Sequence, residues 1–460
     1  MNLRLTFAIA VTKLLIFSLR ILNRGGTTLP GKVAQKIYPG IIKHISKYLK
    51  IIMVTGTNGK TTTTGIISKI MDKNKIDHIT NKSGANLVSG IITTLIDSVN
   101  LKGKSKCKTA LIEVDEAAFN VITNDIKPDI LVVTNFFKDQ LDRFGKLDTI
   151  LNNVKSGIEK SPEAKLILNA DDPLCVSLAQ KHKGEIFYYG FDENAYEGIV
   201  NPLTSDVVFC IYCMGKYEYK NRIYGHLGTF TCTSCGYSRP SSHVTCLKID
   251  ELNSSYTEME FSIGEENYKT KINLPGLYNV YNALAAISLA HILEVTPESI
   301  INSLKSFEST FGRMETIKTD GKAIKLILVK NPAGFNQVIN FLLAEPKKNQ
   351  IAFLVNDKPG DGIDVSWLWD VDFEEFSKIQ DDISCFYASG SRAEDMALRL
   401  KYAGIYSDKI EIIKDYEELI NKGLSNTEKG NSFYILPTYT ALLDIRGFLK
   451  KKFKLKEFWK

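Results

Sequence analysis

The stretch Val54-Thr55-Gly56-Thr57-Asn58-Gly59-Lys60-Thr61-Thr62 carries the clearest chemistry in the sequence. Gly56 and Gly59 let the backbone turn its N–H groups inward around phosphate oxygens. Lys60 has the reach to meet the β and γ phosphates of a nucleotide, and the Thr61 hydroxyl can hold Mg²⁺. The loop follows Ile51-Ile52-Met53-Val54, an apolar run of strand type, and opens a helical pattern from about Thr61 to Asn74. A helix N-terminus adds a dipole that favours anions. The strict phosphate-loop pattern has Gly where this chain has Val54, so the motif is a variant. A Thr/Gly-rich loop without a ligand is the plain alternative, and the joint agreement of strand, loop, lysine, hydroxyl and helix argues against it.

A second cluster is the pair Cys210-x-x-Cys213 and Cys232-x-x-Cys235, with 18 residues between the pairs. That spacing fits a four-cysteine zinc site. Four thiolates complete a tetrahedron and leave no open position, so the predicted Zn²⁺ is structural. Redox dithiols are the competing reading and rank lower. Cys246 is a possible substitute ligand; Cys107, Cys175 and Cys385 read as small buried hydrophobes. His226 and His243 flank the module and read as surface residues. Zinc ribbons also bind nucleic acid, but this insert is not notably basic, and no nucleic-acid partner is predicted.

The elements that must position these groups follow from the pattern. The chain has 460 residues, 44% hydrophobic and 24% charged, the composition of a folded protein with two or three domains. Residues 1–48 read as an N-terminal helical segment broken at Gly25-Gly26 and at a Pro30-Gly31 turn. Residues 49–308 read as an ATP-binding α/β domain, with strands at Ile51–Val54, Thr109–Val114, Asp129–Thr134 and Lys165–Asn169 separated by helices. A small inserted module at about 205–247 carries the cysteines. Strands resume at Thr257–Ile263 and Tyr268–Ile272, and Gly276–Glu294 is helical. Residues 309–460 read as a second α/β domain, with strands at Ala323–Lys330, Ile351–Asn356, Ile383–Ala388 and Ser432–Pro437 and a helix over Ala393–Lys401.

The net charge of +6 is modest for this length. Nothing in the cysteine pattern resembles a secreted disulfide framework, so the expected compartment is the cytoplasm. Leu3–Leu22 is strongly apolar, but Arg4, Lys13 and Arg20 interrupt it far short of the ~20 residues that span a bilayer. Two readings stay open for it: a helix packed on the body of the protein, or one resting on a membrane surface.

The T-G-T-N-G-K-T variant resembles the loop of the Mur ligases and folylpolyglutamate synthetases, which phosphorylate a carboxylate with ATP before an amine attacks. Other segments resemble the same family in the same order. The resemblance implies that Glu113, ending Leu111-Ile112-Glu113, binds Mg²⁺. It implies that Asn282, in Asn279-Val280-Tyr281-Asn282, contacts adenine, and that Arg313, in Phe311-Gly312-Arg313, contacts the nucleotide. Thr134-Asn135 with Asp139-Gln140 resembles a family segment that has His in place of Gln140. Where the family holds the ribose with an acidic segment, this chain has Lys330-Asn331-Pro332, in which Asn331 could serve. The four-cysteine insert, together with Asn356-Asp357-Lys358-Pro359-Gly360-Asp361-Gly362-Ile363-Asp364-Val365-Ser366-Trp367, resembles the MurT family specifically.

That resemblance implies a fold and an activity. The fold is a Mur-ligase-type central P-loop ATPase domain with an inserted zinc ribbon, plus a C-terminal α/β domain that contacts a glutaminase. The activity is ATP-dependent amidation of the D-glutamate α-carboxylate of the lipid II stem peptide, through an acyl phosphate. Ammonia would come from a GatD-like glutaminase partner, because the chain has no cysteine in a nucleophile-elbow context. Gly56, Thr57, Asn58, Gly59, Lys60, Thr61 and Thr62 would bind the nucleotide, and Lys60 and Glu113 would serve the chemistry. An aspartate of the C-terminal domain is implied to complete the partner's catalytic triad; Asp364 is the matching position, with Asp357 and Asp361 as alternatives. The substrate would place the protein at the inner face of the membrane. An amino-acid-adding Mur ligase or a folylpolyglutamate synthetase is the competing activity. A non-enzymatic zinc-ribbon binding module is a third.

Overall fold

The structure, a computed structural model, describes residues 3–21, 28–81, 85–138, 147–196, 206–253, 255–308, 313–343 and 350–455. Three helices come first: α1 (Leu3–Ile21), α2 (Thr28–Ile37) and α3 (Ile41–Ser46). Pro30 and Gly31 lie inside α2 and do not form the expected turn. Proline is tolerated in a first helical turn, where its missing N–H has no partner to lose. Gly31 sits where α2 crosses α5 (Val88–Ser98), and a Cβ there would overlap the Ser89 carbonyl oxygen at 1.8 Å.

Among the described residues, a nine-stranded sheet is built from β1 (Lys50–Thr55), β2 (His78–Thr80), β3 (Thr109–Glu113), β4 (Ile130–Val133), β5 (Lys165–Asn169), β6 (Ile186–Phe191), β9 (Val244–Leu252), β10 (Thr257–Ile263) and β11 (Glu266–Ile272). Its order is β11-β10-β9-β6-β5-β4-β1-β3-β2. The strands from β2 to β9 pair in parallel, while β9, β10 and β11 pair antiparallel. Ile51 and Met53 of β1 pack into one core with Ile9, Ile91 and Phe119. Ile52 and Val54 point the other way, to Ile66 and Ile70 of α4 (Lys60–Lys73) and to Leu284 and Ile287 of the helix Leu277–Ile292. This two-residue alternation within an all-apolar strand is what a parallel sheet covered on both faces requires.

The small hairpin of β7 (Tyr217–Tyr224) and β8 (Leu227–Cys232) stands apart from that sheet. β9, from Val244 onward, belongs to the main sheet, so the last few residues of the stretch at about 205–247 lie in that sheet.

A six-stranded sheet follows, made of β12 (Arg313–Thr319), β13 (Lys322–Ile327), β14 (Gln350–Leu354), β15 (Phe386–Ser389), β16 (Ile410–Ile412) and β17 (Ser432–Pro437). Its order is β12-β13-β17-β14-β15-β16, with β12 and β13 antiparallel and the rest parallel. Phe335, Phe353, Phe373 and Phe386 fill the core on one face; Leu419, Leu442 and Ile445 fill the other.

Candidate functional site

In the first sheet β1 lies between β3 and β4, so the chain leaves β1 where the direction of winding changes. Ligands of open parallel sheets bind at the carboxyl ends of strands at such a point. The loop Gly56–Gly59 sits there and α4 begins directly after it. Gly59 has φ 86° and caps α4. A Cβ on it would lie 2.0 Å from Asn282 Oδ1, and one on Gly56 (φ 120°) would lie 2.3 Å from Thr134 Oγ1. Both positions thus need glycine for conformation and for space.

The loop is pinned from behind. Thr57 N donates to Asn135 O at 2.8 Å and Asn58 N to Asn135 Oδ1 at 2.9 Å. Thr134 Oγ1 donates to the Asn58 carbonyl at 2.7 Å. The Thr134-Asn135 pair therefore shapes the loop; Asp139 and Gln140 lie outside the described residues.

Lys60 is buried and its Nζ donates to Gly56 O at 2.6 Å, Thr57 O at 3.3 Å and Glu116 Oε2 at 2.9 Å. Burial lowers its proton affinity, but the charges of Glu116, Asp115 and Glu113 outweigh that, and the ammonium is held above its ordinary range. Burial pushes the Glu116 carboxyl up, against the pull of Lys60. Glu116 carried no role in the sequence reading. The signal was there: it follows Glu113 by three residues and opens the helix Glu116–Ile122, which turns it back toward the loop.

Glu113 ends β3 directly across from Val54, the residue two before the loop. It is buried and accepts from Asn86 Nδ2 at 3.1 Å, while Asn81 clasps its backbone. Thr61 and Thr62 form the first turn of α4; Thr62 is buried and Thr61 half-buried.

A cleft of ≈ 830 Å³, its open mouth included, runs from the loop to the second sheet. Asn58, Gly59, Thr62, Asn135 and Asn282 line one side; Met314, Lys330, Asn331, Ala333 and Gly334 line the other. Asn282 accepts from Thr63 Oγ1 at 3.2 Å and donates to Asn279 Oδ1 at 3.1 Å, so both amides are oriented at the wall. Tyr224 and Tyr278 add aromatic faces that the sequence reading did not select. Asn331 is fully buried; its Nδ2 donates to Asn58 Oδ1 at 3.0 Å and its Oδ1 accepts from Gly334 N at 2.9 Å. Arg313 starts β12, but its side chain lies outside what the structure describes. Apolar walls, oriented amides and a phosphate-type loop in one cleft fit a nucleotide, and the oxygens of Glu113, at the end of β3, and of Thr61, in the first turn of α4, suit a hard cation.

The four predicted cysteines converge: all four Sγ atoms lie within 4.8 Å of one another. Cys210 and Cys235 are 3.7 Å apart and Cys213 and Cys232 3.4 Å apart. Tight turns set them, with Cys210 N donating to Gly215 O and Cys232 N to Tyr237 O, each at 2.7 Å. Backbone N–H groups at Cys235 and Ser234 draw the Cys232 thiol down to about 6, while hydrogen bonds among the sulfurs hold the Cys213 and Cys235 thiols up, so the cluster shares its protons until a metal displaces them. The donor set fits Zn²⁺. Cys246 is buried in β9 and stands apart from this cluster. His226, expected at the surface, is completely buried; its ring packs 4.6 Å from Phe137 and its Nε2 lies 3.5 Å from Asp172 Oδ1. The hairpin turn carries it inward onto the sheet, a placement that no local pattern encodes.

The three aspartates that follow β14, an interior strand of the second sheet, differ. Asp361 is buried and accepts from Thr440 N at 2.7 Å and from Thr440 Oγ1, a fastening for the last helix. Asp357 accepts from Ser391 Oγ at 2.8 Å. Asp364 is exposed beside Trp369, Arg392 and Arg399, and the Ser366 N–H at 2.8 Å holds its carboxyl below the usual range.

Comparison with known proteins agrees with this geometry. Residues 54–230 match the Mur ligase middle domain and residues 328–442 the MurT ligase C-terminal domain. The chain is 36% identical to the lipid II isoglutaminyl synthase (glutamine-hydrolyzing) subunit MurT of Streptococcus pneumoniae strain ATCC BAA-255 / R6, over 98% of this chain and 98% of that protein. It is 33% identical to the subunit of the same name from Staphylococcus aureus strain COL, over 97% and 98%. Among solved structures it resembles a pseudomurein peptide ligase type C from Methanothermus fervidus, with a TM-score of 0.67 at 23% identity, covering 89% of this chain and 81% of that one. With its Mur-ligase-like α/β fold and its end-to-end likeness to those two subunits, the chain belongs to the MurT family.

Proposed function

We propose that the chain is the ATP-using subunit of a lipid II isoglutaminyl synthase. In this reading it activates the D-glutamate α-carboxylate of the lipid II stem peptide for amidation. The observation that carries the reading is the buried Lys60 at the head of α4, beside Glu113, in a chain that matches MurT proteins over nearly its whole length.

A carboxylate is a poor electrophile. Its oxygen attacks the terminal phosphorus of ATP, ADP leaves, and an acyl phosphate forms. Ammonia then attacks the acyl carbon, inorganic phosphate leaves, and the nitrogen loses a proton to give the amide. Backbone N–H groups of Gly56–Gly59 and the Lys60 ammonium spread the charge that builds on the transferred phosphoryl group. Mg²⁺ bound at Glu113 and Thr61 would neutralise phosphate charge there. Asn282 and Asn279 orient the base, and Arg313 begins the strand that faces it. Ammonia comes from a glutaminase subunit, whose catalytic histidine Asp364 orients across the interface; exposure favours Asp364 over the buried Asp361 for that task. Cys210, Cys213, Cys232 and Cys235 would hold Zn²⁺, which would fasten the β7–β8 hairpin. The central ATP-binding unit spans 49–308 and the partner-binding unit 309–460. The protein works in the cytoplasm, at the inner face of the membrane.

The test is mass spectrometry of lipid II incubated with the chain, MgATP and a nitrogen source. Ammonium should support acid-to-amide exchange by the chain alone, while glutamine should require the partner, and Lys60→Ala should abolish both. Efficient glutamine use by the chain alone, or full activity of Lys60→Ala, would overturn the proposal.

A further inference from the structure

Helix α1 is apolar on two opposite faces. Leu5, Ala8, Ile9, Thr12 and Ile16 are buried against α2 and α5. On the far side Leu3, Phe7, Leu14, Phe17 and Ile21 are 61–76% exposed, and Ala10 is exposed among them. At 3.6 residues per turn these positions fall within about 40° of one line along the helix. Arg4 flanks the stripe on one side and Lys13 and Arg20 on the other, each about 80–100° away by the same spacing.

The charge around it is one-sided. The first 50 residues hold nine Lys and Arg and no Asp or Glu; the first acid in the chain is Asp72. Lys32 and Lys36 of α2, and Lys43 and Lys47 beside them, are exposed. The loop that packs on α1 through Gly103 adds Lys102, Lys104 and Lys106. Against this, Asp97 of α5 pairs with Arg20 at 2.6 Å.

An exposed apolar line set in a cationic rim matches the interface of an anionic bilayer, where side chains enter the acyl boundary and lysines meet headgroups. No described helix is long and apolar enough to cross a membrane. We propose that α1 lies in the plane of an anionic membrane, inserting Phe7, Leu14 and Phe17, and so docks the protein on the bilayer. Only the bearing on a lipid-borne substrate rests on the function proposed above; the docking itself does not.

The experiment is flotation of the full chain with vesicles of phosphatidylglycerol and phosphatidylcholine, against vesicles of phosphatidylcholine alone. No lipid II is present, so failure of the proposed reaction leaves the result unchanged. The chain should float with the anionic vesicles, less at high salt, and weakly with neutral ones. The triple variant F7S/L14S/F17S should bind at least ten-fold more weakly. Ala10→Trp, which adds apolar bulk to the same line, should bind more tightly. Three outcomes overturn the proposal: no flotation of the unaltered chain, equal binding by the triple variant, or a dimer of the unaltered chain that the triple variant dissolves. The last would mean that a second copy covers the stripe.

Discussion

Glu116→Gln offers a sharp test of how the loop is kept ready. Lys60 and Glu116 are 2.9 Å apart, with side-chain exposures of 8% and 5%. Removing one partner of a buried ion pair costs about 3–5 kcal/mol, chiefly because the other charge is left uncompensated. Here Asp115 and Glu113 still face Lys60, and glutamine keeps a carbonyl acceptor, so the lower end, about 3 kcal/mol, is expected. Gly56 O, Thr57 O and Glu116 Oε2 take up the three N–H donors of Lys60, so a phosphate oxygen has to displace one of them. Glu116 thus competes with phosphate for the Lys60 ammonium, and its loss should favour binding. If half of that 3 kcal/mol appears in binding, MgATP affinity rises by about ten-fold. Isothermal titration with a non-hydrolysable ATP analogue gives the affinity, and calorimetric melting gives the stability. The expected result is a less stable chain that binds nucleotide more tightly. Weaker binding by Glu116→Gln would refute the reasoning, since it would place Glu116 among the nucleotide's own contacts.

Other consequences are open to direct measurement. Cys232→Ser should strip zinc from the purified chain, read by elemental analysis, and should open the β7–β8 hairpin to proteolysis; an unaltered metal content would count against the site. Asp364→Asn should leave ammonium-dependent amidation unchanged and lower glutamine-dependent amidation at least ten-fold in the complex with the glutaminase; parallel loss of both would move the role to another residue. Asp372 is raised from 3.8 to about 6, first by burial and then by Glu374 and Glu375, against Arg399. A raised carboxyl stabilises the fold fully below 3.8, and that contribution is lost as pH rises through about 6. Asp372→Asn should therefore stabilise the chain at neutral pH by about 1 kcal/mol, discounted because the group is only half-buried. Melting temperatures of variant and unaltered chain should converge on acidification.

The readable parts of this protein were those whose meaning is local. A phosphate-type loop announces itself because glycines, lysine and hydroxyl must be contiguous for backbone N–H groups to converge. The two Cys-x-x-Cys turns do so because each brings its sulfurs together within a few residues. Strands β1, β3, β4 and β5 were legible as short apolar runs. Strand β6 was not, because Phe187, Tyr188 and Tyr189 are aromatic and only partly follow the apolar pattern. Strand β9 alternates polar and apolar residues next to a cysteine-rich stretch, and only its pairing with β6 and β10 defines it. His226 and Glu116 depend on contacts brought together by the fold. Helix α1 was ambiguous for a good reason: one face is packed on the body of the protein and the other is bare.

The amide pair Asn58–Asn331 joins the two halves of the cleft at the most sensitive place available. One partner belongs to the loop itself and the other to the turn that launches the helix Pro332–Leu343. A single such bond is worth only about 1 kcal/mol net, enough to bias a posture and too little to lock it. The tie therefore couples the loop and the second sheet weakly, by no more than about that free energy in either direction.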